Sequence, residues 1–395
     1  MNARPIYLDH QATTPVDPRV VEAMAPYWSE DFGNAASRSH VYGWRAEAAV
    51  EAAREALAAA IGASSPREIV FTSGATESDN LALLGVLRGA RGRRDGLVTV
   101  ATEHRAVLDV ARAAAREGAD VKLLPVDGRG LVDPDDVARA LSPRTALVSV
   151  MAANNEIGVL QPIDAIAALC RERGVPFHSD AAQAVGKIPL DVAREGIDLL
   201  SFTAHKVYGP KGVGALYVRE TRPRLRVEPL VHGGGHERGL RSGTLPVPLV
   251  VGFARAVALA VESREAEAER LARLRERLWS RLSASVGGVV RSGDPRRSLP
   301  GCLHVCIEGV ASDALLASLP DVALSSGSAC SSARPEPSHV LAALGLPPEL
   351  ARGALRFGLG RGTTEAEVDR AAERIAGAAA ALRAARAGRG AAPVA

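Results

Sequence analysis

Two stretches decide how this chain is read: Phe177-His-Ser-Asp-Ala-Ala-Gln183 and Ser201-Phe-Thr-Ala-His-Lys206. Each contains the end of a short run suited to a buried strand, Pro176–Ser179 and Leu199–Thr203, followed by residues that turn the chain. The pattern recurs outward in both directions. Ile69–Thr72, Val98–Ala101, Val121–Pro125, Ala146–Met151 and Ala215–Val218 are further strand candidates, separated by Ala/Leu/Arg stretches at helical period. One of these is Thr76–Leu87, where Leu81, Leu84 and Leu87 recur every three residues. Such alternation predicts an α/β fold with a mostly parallel sheet. Open sheets of that kind hold their ligands at the C-terminal ends of the strands, where Asp180 and Lys206 stand. Taken singly, Asp180 reads as an N-cap for the next helix and Lys206 as a surface charge.

A third stretch, Phe71-Thr-Ser-Gly-Ala-Thr-Glu-Ser78, is a strand running through a small-residue turn into a helix, with Thr76 and Asp79 in a capping arrangement. Free N–H groups and the positive helix end at such a turn suit a phosphate, although Gly-Ala before a helix is by itself only a tight turn. Together the three stretches offer a phosphate cup, an acid for a pyridinium nitrogen and a lysine amine for a Schiff base. That set is what pyridoxal phosphate requires of a protein. His104, in Thr102-Glu-His-Arg105 after another strand, adds an imidazole able to lie on the ring face or shuttle protons.

The 395 residues carry 48 Lys+Arg against 45 Asp+Glu, a formal net charge of +3. Lysine occurs only at Lys122, Lys187, Lys206 and Lys211, so the basic side is almost entirely arginine. So small a net charge leaves no electrostatic footprint for nucleic acid. The glycines of Gly209–Gly214 do not follow a dinucleotide-binding spacing, and Gly186-Lys187 lacks the rest of a P-loop. A hydrophobic content of 47% excludes a disordered chain. Met1 to Gln11 has no signal-peptide core, and the most apolar window, Leu245 to Val261, is interrupted by Pro246, Pro248, Gly252 and Arg255. The expectation is a cytoplasmic protein with no membrane partner and with reduced cysteines.

Four cysteines make no disulfide scaffold at this length. Cys302 and Cys306 share a strand face and read as buried apolar thiols, with no second pair to form a metal site. Ser325-Ser-Gly-Ser-Ala-Cys-Ser-Ser332 is different: small residues around one cysteine describe an exposed, mobile loop, and Cys330 is the candidate reactive thiol.

From Leu249 to Ser285 a long helical stretch alternates Glu and Arg, which reads as a solvated face on the connection to a smaller domain. Beyond it come a strand at Leu303–Ile307, a helix at Asp313–Ser318, the Ser325–Pro337 loop, a helix from Ser338, a strand at Ala354–Leu359 and a final helix. The expected organisation is an N-terminal segment, 1–15, packing with the small domain; a large cofactor-binding domain, 16–260; and a small C-terminal domain, 261–395, carrying the cysteine loop.

With these stretches in view, the chain resembles the NifS/IscS-type cysteine desulfurases of the class V aminotransferase group, with the PLP fold type I. The resemblance runs from Tyr7-Leu-Asp-His-Gln-Ala-Thr-Thr-Pro15 through Ser37-Arg-Ser-His40, Ser73–Asn80, Asn154-Asn-Glu-Ile-Gly158, Ala204–Gly212 and Gly233–Thr244 to Leu355-Arg-Phe-Gly-Leu-Gly-Arg361. The long Ser325–Pro337 segment resembles the IscS-like branch, whose cysteine loop is extended. The resemblance implies a homodimer that uses pyridoxal phosphate to take sulfur from L-cysteine, giving L-alanine and a persulfide. The sulfur would go to iron–sulfur cluster assembly, through a scaffold protein, or to another acceptor such as the tRNA thiolation machinery.

Carried over by position, the resemblance implies that Lys206 forms the Schiff base and moves protons, that Asp180 pairs with the ring nitrogen, that Gln183 bonds the phenolic oxygen and that His104 stacks on the ring. Ala75, Thr76, Thr203 and His205 would hold the phosphate, with Thr244 reaching in from a second subunit. Asn155, beside the cofactor, and Arg356 would orient the substrate carboxylate, and Cys330 would take the sulfur. It implies no resident metal, although Cys330 could transiently ligate a cluster shared with a scaffold. A selenocysteine lyase or another class V aminotransferase is the alternative. Ala35 stands where the family usually has proline, and Thr203 where serine is common. The chain stops at Pro393-Val-Ala395, so a C-terminal segment for docking a scaffold is not expected.

Overall fold

The computed structural model describes residues 4–220, 224–327 and 338–390. In chain order its strands are β1 (Ile6–Tyr7), β2 (Ile69–Thr72), β3 (Gly96–Val100), β4 (Asp120–Leu124), β5 (Thr145–Ser149) and β6 (Phe177–Asp180). They continue with β7 (Leu199–Thr203), β8 (Gly214–Val218), β9 (Val289–Arg291), β10 (Cys302–Ile307), β11 (Val322–Ala323) and β12 (Ala354–Gly358). β2 to β8 form one seven-stranded sheet in the order β2-β8-β7-β6-β5-β3-β4. β3 runs parallel to β4 and β5, β5 to β6 and β6 to β7, while β8 lies antiparallel between β2 and β7. The expected α/β architecture with a mostly parallel sheet is therefore present. Every residue of β2, β3, β5, β6, β7 and β8 is buried, which is why all of these but β6 (Phe177-His-Ser-Asp180) read as mostly apolar runs. β4 is an edge strand with no buried residue, blunted by Asp120 and Lys122.

A single helix, Val247–Ser285, ties two cores together. Its first half buries Val250, Phe253 and Val257 against the large sheet, with the Phe253 ring 5.3 Å from that of Phe202. Its second half buries Leu274, Leu278 and Leu282 with Leu303, Val305 and Phe357 of the antiparallel sheet β12-β10-β9. β1 pairs in parallel with β11 and carries Ile6 and Leu8 into this second core.

Two expectations about this helix need correction. The prolines do not interrupt it: Pro246 is its N-cap residue and Pro248 lies in the first turn, where an N–H has no intrahelical partner to lose, and the helix continues through Gly252 and Arg255. Its charged face is also more than solvated. Arg277 and Arg281 pair with Asp369, and Arg270 donates to the carbonyls of Gly360, Arg361 and Thr363, fastening the final helix, Glu365–Gly390. No helix among the described residues is long and apolar enough to cross a membrane.

The glycine-rich loop that ends at Thr244 is pinned by one buried ion pair. Glu237, at a φ of 47°, takes both terminal nitrogens of Arg54 at 2.8 Å and the Phe71 N–H at 2.7 Å. Both side chains of the pair are almost wholly buried. Truncating the acid would leave the buried guanidinium with only Glu51 and the Ile69 carbonyl, and a strand N–H without its acceptor. Glu237→Ala is therefore expected to cost about 3–5 kcal/mol of unfolding free energy, read as a lower urea midpoint at unchanged slope.

Candidate active site

β2 ends at Thr72, and the chain turns through Gly74 into the helix Ala75–Gly89. Gly74 has a φ of 155°, a conformation that a side chain would oppose. No side chain caps this helix, so the expected Thr76–Asp79 capping arrangement is not formed. Glu77 instead accepts from the Ser73 N–H at 2.7 Å and is held by Arg241 at 2.8 Å, while Asp79 is fully buried beneath the helix. The first N–H groups of the helix have no intrahelical acceptor and stay free for a ligand.

That turn forms one wall of a cleft of about 460 Å³ at the C-terminal ends of β6 and β7. Ala75, Thr76, His104, Asn155, Asp180, Gln183, Thr203, His205, Lys206 and Arg356 all line it. Residues spread over nearly three hundred positions of sequence thus meet in a space the size of a small-molecule site.

Asp180, the last residue of β6, accepts from the Ala182 N–H at 2.9 Å, so it caps a turn rather than a helix. Burial pushes its carboxyl up, opposed by the charges of His104 and Lys206. Lys206 closes the short 3-10 turn after β7, and its Nζ donates to the carbonyls of Gln11 at 2.5 Å and Ala12 at 2.8 Å. Gln183 also donates to the Gln11 carbonyl, at 2.8 Å.

His104 is the N-cap of the helix Arg105–Arg116, and its Nδ1 accepts from the Ala106 N–H at 3.1 Å. In the neutral ring the proton is therefore on Nε2. His205 meets Thr13 at 3.1 Å, and burial followed by the charge of Lys206 lowers it to about 4, so it is neutral at pH 7. The Thr203 hydroxyl donates to the Val213 carbonyl at 3.0 Å.

Arg356 reaches the cleft from β12 and is 1% exposed. One terminal nitrogen donates to Asp9 at 2.8 Å and the other to the Asn155 carbonyl at 3.0 Å, while its buried Nε has no partner among the described residues. A buried cation with an unused donor at a cleft wall suits a carboxylate.

Thr244 is exposed on the loop before Val247–Ser285 and does not line the cleft of its own chain. Cys330 lies outside the described residues. The two residues that flank its segment, Gly327 and Ser338, converge on Glu156, next to Asn155. Ser338 donates to Glu156 Oε2 at 2.5 Å, and a Cβ added at Gly327 would lie 3.1 Å from the same oxygen. The other cysteines, Cys170, Cys302 and Cys306, are buried, and burial raises the thiol to about 12 in Cys170, to about 11 in Cys302 and upward in Cys306.

Several working residues carried no local signal. Asp9 and Gln11 act on groups far along the chain, through a carboxylate and a main-chain carbonyl. Behind Asp180 sit two further buried acids, Asp79 and Glu103, both with carboxyls driven well upward, first by burial. Glu103 accepts from the Met151 N–H at 2.6 Å through Oε1, and among the described residues its buried Oε2 has no partner, so no donor there offsets the cost of ionising it. Glu103→Gln is thus expected to preserve the site and flatten the pH dependence of stability. A raised folded pKa means the folded state holds its proton longer. The stability it brings is full below the ordinary value of 4.5 and is lost as pH climbs toward the folded value. Urea midpoints of the two proteins across that range should converge at low pH and diverge as pH rises.

The aminotransferase class-V family model matches residues 6–371. The chain is 54% identical over 371 residues to the cysteine desulfurase of Mus musculus, covering 94% of this chain and 80% of that one. Among solved structures it resembles a NifS-like protein, at a TM-score of 0.88 and 38% identity, covering 94% of this chain and 98% of the other. It also resembles SspA in complex with cysteine, at a TM-score of 0.80 and 38% identity, with 90% and 98% covered.

Proposed function

The chain belongs to the aminotransferase class-V family, and from that membership we propose that it is a cysteine desulfurase working with pyridoxal phosphate. One observation carries the reading. Lys206, Asp180 and an uncapped helix start face a single cleft, together with a buried arginine that has a donor to spare. This donor set fits the cofactor: anion-binding N–H groups for its phosphate, a carboxyl for its ring nitrogen and an amine for its aldehyde. When bound, the cofactor supplies an electron-withdrawing ring that makes the substrate Cα–H acidic.

The protein's own groups do the rest. Ala75, Thr76, Thr203 and His205 hold the phosphate, joined by Thr244 of a second subunit in a homodimer. Asp180 holds the proton at the ring nitrogen, Gln183 donates to the phenolic oxygen and His104 covers the ring face. Arg356, fixed by Asp9, clamps the carboxylate of L-cysteine beside Asn155. Lys206 takes up and returns the Cα proton. The Cys330 thiolate then attacks the substrate sulfur: the C–S bond breaks, an S–S bond forms, and the carbon fragment takes up protons and leaves as L-alanine.

The likeness to SspA in complex with cysteine supports the substrate. The persulfide passes to a cytoplasmic acceptor in iron–sulfur assembly or tRNA thiolation, and the division at 260/261 sets a cofactor domain against one that carries the cysteine. The test is to incubate the chain with L-cysteine and weigh it intact, with alanine measured beside it. One retained sulfur atom on Cys330, matched by alanine, is the expected result. Alanine without any protein-bound sulfur would sink the reading.

A further inference from the structure

Resting on that reading, we propose that Lys187 is a positioning residue. It fixes the side-chain amide of Gln183, and through that amide it sets the proton affinity of the chromophore that Lys206 forms with its cofactor.

Gln183 and Lys187 lie four residues apart in a run of turns after β6, and they meet side chain to side chain: Lys187 Nζ donates to Gln183 Oε1 at 2.7 Å. The other end of the amide, Nε2, donates to the Gln11 carbonyl at 2.8 Å. A main-chain carbonyl can only accept, so this neighbour assigns the nitrogen, and Lys187 satisfies the oxygen. One N–H of Gln183 is left over, and Gln183 is a wall of the cleft. The same Gln11 carbonyl accepts from Lys206, so a continuous chain of hydrogen bonds runs from Lys187 through Gln183 and Gln11 to Lys206.

Lys187 is not used by the mechanism above. It lines a separate small cavity behind Lys206, which Glu267 faces from the long helix. Lys206, Arg356 of β12, the Cys302 thiol of β10, His10 and His205 act on it with Glu267, while Arg264, Tyr208 and Arg361 line the same cavity. Burial followed by the charge of Lys206 lowers its amine to about 7. Among the described residues no carboxylate pairs with this half-buried amine; its hydrogen-bond partner is Gln183.

Without Lys187, Gln183 Oε1 becomes a buried acceptor with no donor. The amide is then held only through Gln11, and the N–H it offers the cleft is less polarised and less firmly placed. A weaker, less well-aimed N–H beside the phenolic oxygen stabilises its anion less and so favours the protonated chromophore.

The experiment is a spectrophotometric pH titration of the cofactor-loaded chain. Lys187→Met, similar in length, is expected to move the chromophore's midpoint upward by about one pH unit, and Lys187→Arg, which keeps the donor, is expected to restore it. In a Gln183→Ala background, Lys187→Met should shift the midpoint by less than a third as much. An unshifted midpoint in Lys187→Met overturns the inference. So does an undiminished shift in the Gln183→Ala background, which would mark a bare charge effect. A wild-type chain that takes up no chromophore would overturn the underlying reading and this inference with it.

Discussion

Lys206→Ala is expected to abolish the lysine-linked chromophore and to reduce alanine formation from L-cysteine by about 10³-fold or more. The Lys206 amine can both hold an aldehyde covalently and move a proton at the substrate Cα. The other three lysines cannot take its place. Lys122 donates to the Ala140 carbonyl at the edge strand, Lys187 is committed to Gln183, and Lys211 lines the cleft but is exposed. The substitution removes hydrogen bonds to the Gln11 and Ala12 carbonyls, so the fold should survive with a loss of about 1–3 kcal/mol. The check is an absorbance spectrum after cofactor addition and dialysis, beside a thermal melt. A variant that keeps a dialysis-resistant chromophore at the wild-type wavelength would remove Lys206 from the site.

Cys330→Ser is expected to separate the two halves of the reaction. The chromophore should form as in the wild type, since no cofactor group is touched, while protein-bound sulfur falls below detection. A serine hydroxyl does not ionise near neutral pH and cannot accept sulfur. The remaining thiols offer no bypass. Cys170, Cys302 and Cys306 are buried, and the first two are pushed to about 12 and about 11, so almost none of either is thiolate at pH 7. Intact mass after L-cysteine, with and without a reductant wash, is the measurement. Sulfur retained on the variant would place the acceptor elsewhere. An ordinary aminotransferase would be indifferent to the change.

The fold was legible where burial is symmetrical. Strands covered on both faces become mostly apolar runs, so β2 and β7 could be read to the residue, and Asp180 and Lys206 stood out because they lie at or just past the ends of strands. The helix start at Gly74 was legible as a turn but not in its capping. A side chain at Thr76 would use up donors that the turn leaves open, and the sequence does not show which of the two it does. The hold of Asp9 on Arg356 was illegible for a different reason. It joins residues 347 positions apart, Asp9 just past β1 and Arg356 in β12, and neither carries a periodic signal. The same holds for Arg54 and Glu237, where the arginine looks like any other on a helix until its partner is brought in from 183 residues away. Asp79 and Glu103 are hidden for a third reason: an acid near a helix start looks solvated, and only packing reveals that it is wholly enclosed.

Glu156 has a kinetic meaning as well as a structural one. It holds Ser338 and lies against Gly327 at one point beside Asn155, and Cys330 is three residues from Gly327. Three residues span at most about 11 Å, so under the proposed role the sulfur acceptor is leashed to the cleft's rim. Its encounter with substrate is then unimolecular, at an effective concentration on the order of millimolar, whatever the amount of protein in solution. The first sulfur transfer should run at the same rate per chain in dilute and concentrated samples, and residues inserted between Gly327 and Cys330 should slow it in proportion to the volume they let the thiol explore.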